Sequence, residues 1–229
     1  MTPLLERLNI TDTSMLLDSC ELHKIKRGEI IFEEGGLAEY LYFIKQGRIR
    51  VFKEMREGND ITIFLRGEQD CFGEIGIFSG RHYSNSAKAT ENSKIFYIKK
   101  EALEEILSRY GRLSLEFTRW VADSLEASKA KIRDYLAFGS EGAVASVFIR
   151  YTNMYGIVTT EGIKINKPIV LQDIGRHIGI SRETVSRIVN KWKEQEIIEK
   201  NNKLFLIKDI TYFRKLLNCK NCAVENCVL

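Results

Sequence analysis

The chain has little proline, little histidine and little cysteine: two, three and five residues respectively in 229. With so little proline and no low-complexity tract, a long disordered linker is not expected. Long apolar runs are missing too. No window reaches the roughly 18 apolar residues of a membrane span, so no membrane partner is expected. The N-terminus reads Met1-Thr2-Pro3-Leu4-Leu5-Glu6 without an apolar core segment, so no secretory leader is expected and the cytoplasm is the expected compartment. His23, His82 and His177 stand in no nucleophile–base arrangement, and no flavin or nucleotide loop is present, which argues against an enzyme. Strong charge imbalance is also absent. The 35 Lys and Arg against 31 Asp and Glu leave only +4, weak evidence for a polyanionic partner. The remaining 44% hydrophobic and 29% charged residues describe ordinary globular material, enough for one large domain or two small ones.

Scarce as cysteine is, three of the five fall in the last eleven residues, as Cys219, Cys222 and Cys227 in a C-x2-C-x4-C array. In an intracellular chain, thiols crowded this way point to metal binding or redox chemistry rather than structural disulfides. Basic residues are also uneven. Arg176, Arg182, Arg187, Lys191, Lys193, Lys200 and Lys203 crowd the C-terminal third, a pattern expected of phosphate contacts.

Residues 1 to about 20 read as a short helical lead-in. From Glu21 to about Ile98 short apolar runs such as 30–32, 41–44, 49–52, 61–65 and 94–98 alternate with Gly28, Gly35, Gly47, Gly58, Gly67, Gly73 and Gly80. Many short strands at this spacing predict a β-sandwich or barrel. A short helix is expected over 100–110. From Leu113 to Phe138 there is no Gly or Pro, and Thr118, Val121, Leu125, Ser128, Ile132 and Tyr135 recur at spacings of three and four, broadened by Phe117, Trp120 and Leu136. Such a helix, roughly 39 Å long, serves either as a core helix lying on the sheet or as a seam pairing with a second subunit. Beyond Gly139 a helix (141–154), a hairpin (157–165) and a final strand–turn–strand around 200–207 are expected.

Between them lies Leu171 to Asn190. Two helices crossing steeply need a small residue where they touch, which Gly175 supplies, and Gly179 suits the tight turn. Ile174, Ile178, Ile180, Val185 and Ile188 supply the shared core. Ser181 is placed to cap the second helix. Its outer face carries Arg182, Glu183, Ser186 and Arg187, with Thr184 beside them. Arg suits guanine O6 and N7, and Glu accepts from cytosine N4. His177 is expected to face solvent or phosphate. This is a helix-turn-helix followed by a wing.

The run Arg182-Glu183-Thr184-Val185-Ser186-Arg187 resembles the recognition helix of the Crp/Fnr family of bacterial transcription regulators, and Cys71 to Phe78 resembles that family's phosphate-binding cassette. The resemblance implies an α+β architecture: an N-terminal β-roll (1–112), a dimerisation helix (113–138) and a C-terminal winged helix-turn-helix domain (139–229) carrying the cysteine tail. It implies a homodimer on a double-stranded DNA palindrome, with RNA polymerase as a further partner where the protein activates. Arg182, Glu183 and Arg187 match the positions by which the catabolite-activator branch reads TGTGA, while Ser186 matches the Fnr branch, whose half-site is TTGA-like; with Arg182 present, TGTGA-N6-TCACA is the expected site. Cyclic nucleotide is not expected as an effector. Glu74 matches the ribose ligand beside Gly73, but Tyr83-Ser84-Asn85-Ser86 stands where an Arg-Ser pair should hold the phosphate, and Arg81 falls too early. Without that arginine a bidentate charged contact is lost. Cys71, flanked by apolar residues, reads as a core thiol.

For the tail, three thiolates leave one position open in a zinc or cubane site. No His follows His177, and Cys20 and Cys71 are distant in sequence. An oxygen ligand on one iron is chemically possible and labile. Oxidation pairing Cys219 with Cys222, beside Lys220, is a second possibility, and a β-roll that senses a small effector is a third. The cysteines resemble those of the Gram-positive branch of Fnr regulators, which implies a [4Fe–4S] cluster held by Cys219, Cys222, Cys227 and an Asp near the end of the long helix. Asp134 is the candidate and Asp123 the alternative. The plain alternative for Asp134 is an exposed carboxylate paired with a neighbouring Lys or Arg.

Overall fold

The computed structural model describes residues 1–55, 60–219 and 227–229. They divide into two compact units, Thr2–Ala122 and Asp123–Leu229. In the first, a 3-10 turn (Leu5–Arg7) and helix α1 (Ile10–Asp18) lead in, and Asn9 caps α1 by accepting from the Asp12 N–H at 2.7 Å. The Gly-punctuated apolar runs then become strands β1 (Glu21–Ile25), β2 (Ile30–Phe32), β3 (Tyr40–Gln46), β4 (Ile49–Glu54), β5 (Asp60–Arg66) and β6 (Cys71–Phe72). Helix α2 (Glu74–Ser79) interrupts them before β7 (Ser86–Ala89), β8 (Ser93–Lys99) and helix α3 (Lys100–Arg109). The strands form two antiparallel sheets, ordered β1-β8-β3-β6 and β2-β7-β4-β5. An aromatic stack joins the two. Tyr42 of β3 and Phe72 of β6 lie 5.0 Å apart by ring centroid, and Phe32 of β2 sits 5.5 Å from Tyr42 and 3.8 Å from Tyr83. Each such pair adds roughly 0.5–1.5 kcal/mol beyond the area it buries.

Helix α4 (Gly111–Ala137) fills the span expected of the long helix. Leu113, Phe117, Trp120, Ser124, Ala127, Lys131 and Asp134 are buried along it, alternating steps of four and three, which is one continuous helical stripe. Phe117 and Trp120 therefore do not broaden the outer stripe as expected. They turn the other way, and the Trp120 indole donates to Asp70 Oδ1 at 3.0 Å within the first unit. The outer stripe stays apolar and open: Val121, Leu125, Ile132 and Leu136 are 41, 54, 58 and 80% exposed.

Gly139, with φ +61°, separates α4 from α5 (Gly139–Tyr155), whose residues from Gly142 to Thr152 are all buried. Around α5 stand β9 (Gly156–Thr159), β10 (Gly162–Ile165), α6 (Leu171–Ile178), α7 (Arg182–Glu194), β11 (Ile198–Asn201), β12 (Leu204–Ile207) and α8 (Ile210–Leu216). The four strands form one antiparallel sheet in the order β11-β12-β10-β9. Asn202 takes φ +55° in the turn between β11 and β12, so the wing forms where the sequence places it. No helix among the described residues is long and apolar enough to cross a membrane.

Candidate nucleic-acid interface and thiolate site

Helices α6 and α7 meet where Gly175 and Gly179 require them to. A Cβ on Gly175 would stand 2.5 Å from the Ile180 carbonyl oxygen, and Gly179 adopts φ +75°. The Ser181 hydroxyl accepts from the Thr184 N–H at 3.2 Å, closing the N-terminus of α7. Val185, Ile188, Val189 and Trp192 turn inward. Ser181, Arg182, Glu183 and Arg187 are exposed, while Thr184 and Ser186 are half-buried. Arg182, Glu183, Ser186 and Arg187 line one side of a shallow surface depression that continues over Asn190, Lys191 and Glu194. Its donors, acceptor and positive charge lie along one helix face, the arrangement that fits a helix entering a major groove. His177 is not part of this face. It is buried at 7% exposure, contrary to expectation, because it lies three residues from Ile174 on the inward side of α6.

A group the sequence reading passed over holds α7 in place. Glu141, in the first turn of α5, accepts from Lys191 Nζ, the Trp192 indole and the Tyr212 hydroxyl, each at 2.9 Å. Burial alone pushes the Glu141 carboxyl up. The hydrogen bonds from Lys191, Trp192 and Tyr212 and the Lys191 charge outweigh it and leave the pKa lowered.

In the β-roll, Gly73 takes φ +92° and Glu74 opens α2. Together with Phe32, Arg66, Tyr83 and Ser84 they line a cavity of about 20 Å³, space on the order of one water. An arginine does reach this wall, Arg66 from β5. Its guanidinium lies 3.1 Å from Asp70 and 3.8 Å from Glu74, and over the Phe64 and Trp120 rings. Burial pushes Glu74 up, with Arg66 opposing it. Tyr83 fills the space beside Phe32, its hydroxyl donating to the Tyr40 carbonyl at 2.8 Å. Cys71 is fully buried and burial pushes its thiol well up, as suits a core residue.

Asp134 is not an exposed carboxylate. It is 3% exposed, and Oδ2 accepts from the Ser146 hydroxyl at 2.8 Å and faces Arg150 Nη1 at 3.3 Å. Arg133 donates to Oδ1 at 2.7 Å. The same Arg150 Nη1 donates to Cys227 Sγ at 3.4 Å. One guanidinium nitrogen thus touches two of the four expected ligands, which the chain supplies from α4 and from its tail. The end of the tail is seated on α5: Asn153 donates to the Cys227 carbonyl at 2.9 Å, and Leu229 is buried with its N–H toward Met154 Sδ at 3.5 Å. Tyr135 stands nearby. Burial pushes its phenol up to about 12, with Arg150 lowering it and Asp134 and Cys227 raising it. Cys219 follows α8, its N–H donating to the Arg214 carbonyl at 2.9 Å. Cys222 lies outside the described residues. Among the described residues no three His, Cys, Asp or Glu side chains converge, and Asp123 is half-buried on α4. A buried carboxylate and a thiol that share one buried guanidinium are donors of the kind an iron–sulfur centre uses.

Comparison with known proteins gives matches over most of the chain. A family model described as a cyclic nucleotide-binding domain matches residues 22–110, and one described as a Crp-like helix-turn-helix domain matches 143–216. The anaerobic regulatory protein of Bacillus subtilis is 34% identical over 95% of this chain and 92% of its own length. The cAMP-activated global transcriptional regulator CRP of Escherichia coli O157:H7 is 24% identical over 83% of this chain and 91% of its own. Among solved structures, a CooA mutant from Carboxydothermus hydrogenoformans shares the fold with a TM-score of 0.81 at 22% identity, covering 94% of this chain and 96% of that one. FixK2 from Bradyrhizobium japonicum does so at 0.72 and 20%, covering 89% and 98%.

Proposed function

The chain belongs to the Crp/Fnr family of DNA-binding transcription regulators, and from that premise we propose that it is an oxygen-responsive regulator of the anaerobic cytoplasm. In this reading it works as a homodimer on a TGTGA-N6-TCACA-like palindrome, with Arg182, Glu183 and Arg187 reading base edges and Ser181, Thr184 and Ser186 beside them. Its input is a [4Fe–4S] cluster held by Cys219, Cys222, Cys227 and Asp134. The observation that carries the reading is the single Arg150 nitrogen touching both Asp134 and Cys227. The cluster's contribution is an oxygen-labile iron–sulfur core. The protein's own contribution lies across Gly139: Asp134 ends α4, Ser146 and Arg150 stand on α5, and their contacts set how the two helices meet. Were Asp134 to hold the cluster, its contacts to Ser146 and Arg150 would change, and differential contacts of this kind are what a switch requires.

The open apolar stripe of α4 supports the dimer, and the anaerobic role in the name of the Bacillus relative agrees with the input. A cavity of about 20 Å³ and a guanidinium matched by two carboxylates weigh against a β-roll effector. Metal and sulfide analysis of anaerobically purified protein tests the reading. About four iron and four sulfide per chain are expected. A colourless zinc-loaded protein, or a metal-free one that forms a Cys219–Cys222 disulfide in air, would replace it with the thiol or zinc switch.

A further inference from the structure

From Gly142 to Thr152 α5 is buried on every side, and Arg150 is the one charged residue in that run. At 1% exposure its guanidinium has Nη1 against Asp134 and Cys227, while Nε and Nη2 are buried with no hydrogen-bond partner among the described residues. Asp134 is shared with Arg133 and Ser146. An unmet buried donor costs on the order of 1–3 kcal/mol, and more for a charged group. Buried polar atoms left this way mark a place where a further acceptor belongs. The group they belong to is planar and cationic, and one of its nitrogens already rests on a cysteine sulfur.

We infer that Arg150 is itself a residue of the cluster site, donating from Nε and Nη2 to anionic sulfur there. The inference rests on the proposed cluster at Cys219, Cys222, Cys227 and Asp134. Sulfide and thiolate sulfur are acceptors that a guanidinium can meet with several N–H groups in one fixed planar fork, a geometry that the compact, freely rotating ammonium does not supply. Hydrogen bonds to sulfur and net charge near a cluster set its reduction potential. A buried cation favours the reduced, more negative form, so Arg150 raises the potential. Partners in this position also govern how tightly the metal is held. In the metal-free protein the same residue holds Asp134 and Cys227 together, keeping two ligands in place for loading.

The test uses full-length protein loaded anaerobically with iron and sulfide, as wild type, Arg150→Lys and Arg150→Met. Iron and sulfide content, iron loss to a chelator and the one-electron midpoint potential are read for each. Arg150→Met is expected to lower the reduced-to-oxidised ratio at a fixed potential at least tenfold, about 59 mV for one electron. Arg150→Lys keeps the charge but loses the fork, and is expected to lose iron to the chelator at least about tenfold faster. If Arg150→Met fails to fold, the chelator rate of Arg150→Lys decides. Folded variants with wild-type potential and wild-type iron loss overturn the inference while leaving the cluster intact. Wild type that takes up no iron and sulfide overturns the cluster reading itself. A purely structural role would change unfolding of the metal-free protein and leave the potential where it was.

Discussion

A carboxylate as buried as Asp134 must be paired, and its partners come from beyond its own helix: Arg150 and Ser146 of α5, besides Arg133 alongside it. Asp134→Ala leaves Arg150 as an uncompensated buried charge. We expect it to destabilise the metal-free protein by roughly 3–5 kcal/mol, read as a lower urea midpoint. Asp134→Asn keeps an acceptor for Ser146 and should cost less, and an unchanged midpoint in Asp134→Ala would remove the pair from the account. Glu141 makes a pH prediction. Its folded pKa is lowered from an ordinary 4.5, so its stabilisation is complete above pH 4.5 and is lost as pH falls through the lowered value. Glu141→Gln should therefore cost more stability at pH 7 than in acid below the lowered value, and an equal loss across that range would contradict the assignment. Neither partner set was read from the sequence, though signals existed. Arg150 stands in the apolar run Phe148-Ile149-Arg150-Tyr151, where a buried cation demands an anion. His177 shares an inward face with Ile174. Residue type alone points both to solvent; the helical face each occupies points inward.

At the scale of elements, what was legible was local. Gly175, Gly179 and Ser181 each answer a demand made by the next few residues, so the helix-turn-helix and its wing stand where the sequence places them. Helix α4 was legible in extent but not in its two faces, because the period of three and four fits both stripes and only packing separates them. Trp120 has an indole N–H that Asp70 can satisfy, so it turns inward. Asp134 falls on that same inward stripe, which its polar character disguised. The outer stripe is the proposed seam. Leu125→Glu with Ile132→Glu should raise the dimer dissociation constant at least about 100-fold, about 2.8 kcal/mol, seen by sedimentation at unchanged helix content. A double variant that stays dimeric at wild-type strength would put the interface elsewhere.

In the whole molecule, the tail that gathers three of the five cysteines is where the proposed oxygen input enters. The resemblance proposes Cys219, Cys222, Cys227 and Asp134 as ligands, and tertiary structure adds what spacing could not, the return of Cys227 and Leu229 onto α5, with Cys227 and Asp134 both against Arg150. A site joining the end of α4, the body of α5 and the tail spans Gly139, so a change there bears on how α5 meets α4 and, through Glu141, on how α7 is held. The most direct measurement is fluorescence anisotropy with a TGTGA-N6-TCACA duplex, on one preparation of full-length protein titrated first under anaerobic conditions and again after air. Binding is expected to be at least about tenfold tighter before air, 1.4 kcal/mol or more, with the loss following the loss of cluster iron and sulfide. Equal affinity in the two titrations, with the cluster present in one and gone in the other, would contradict it.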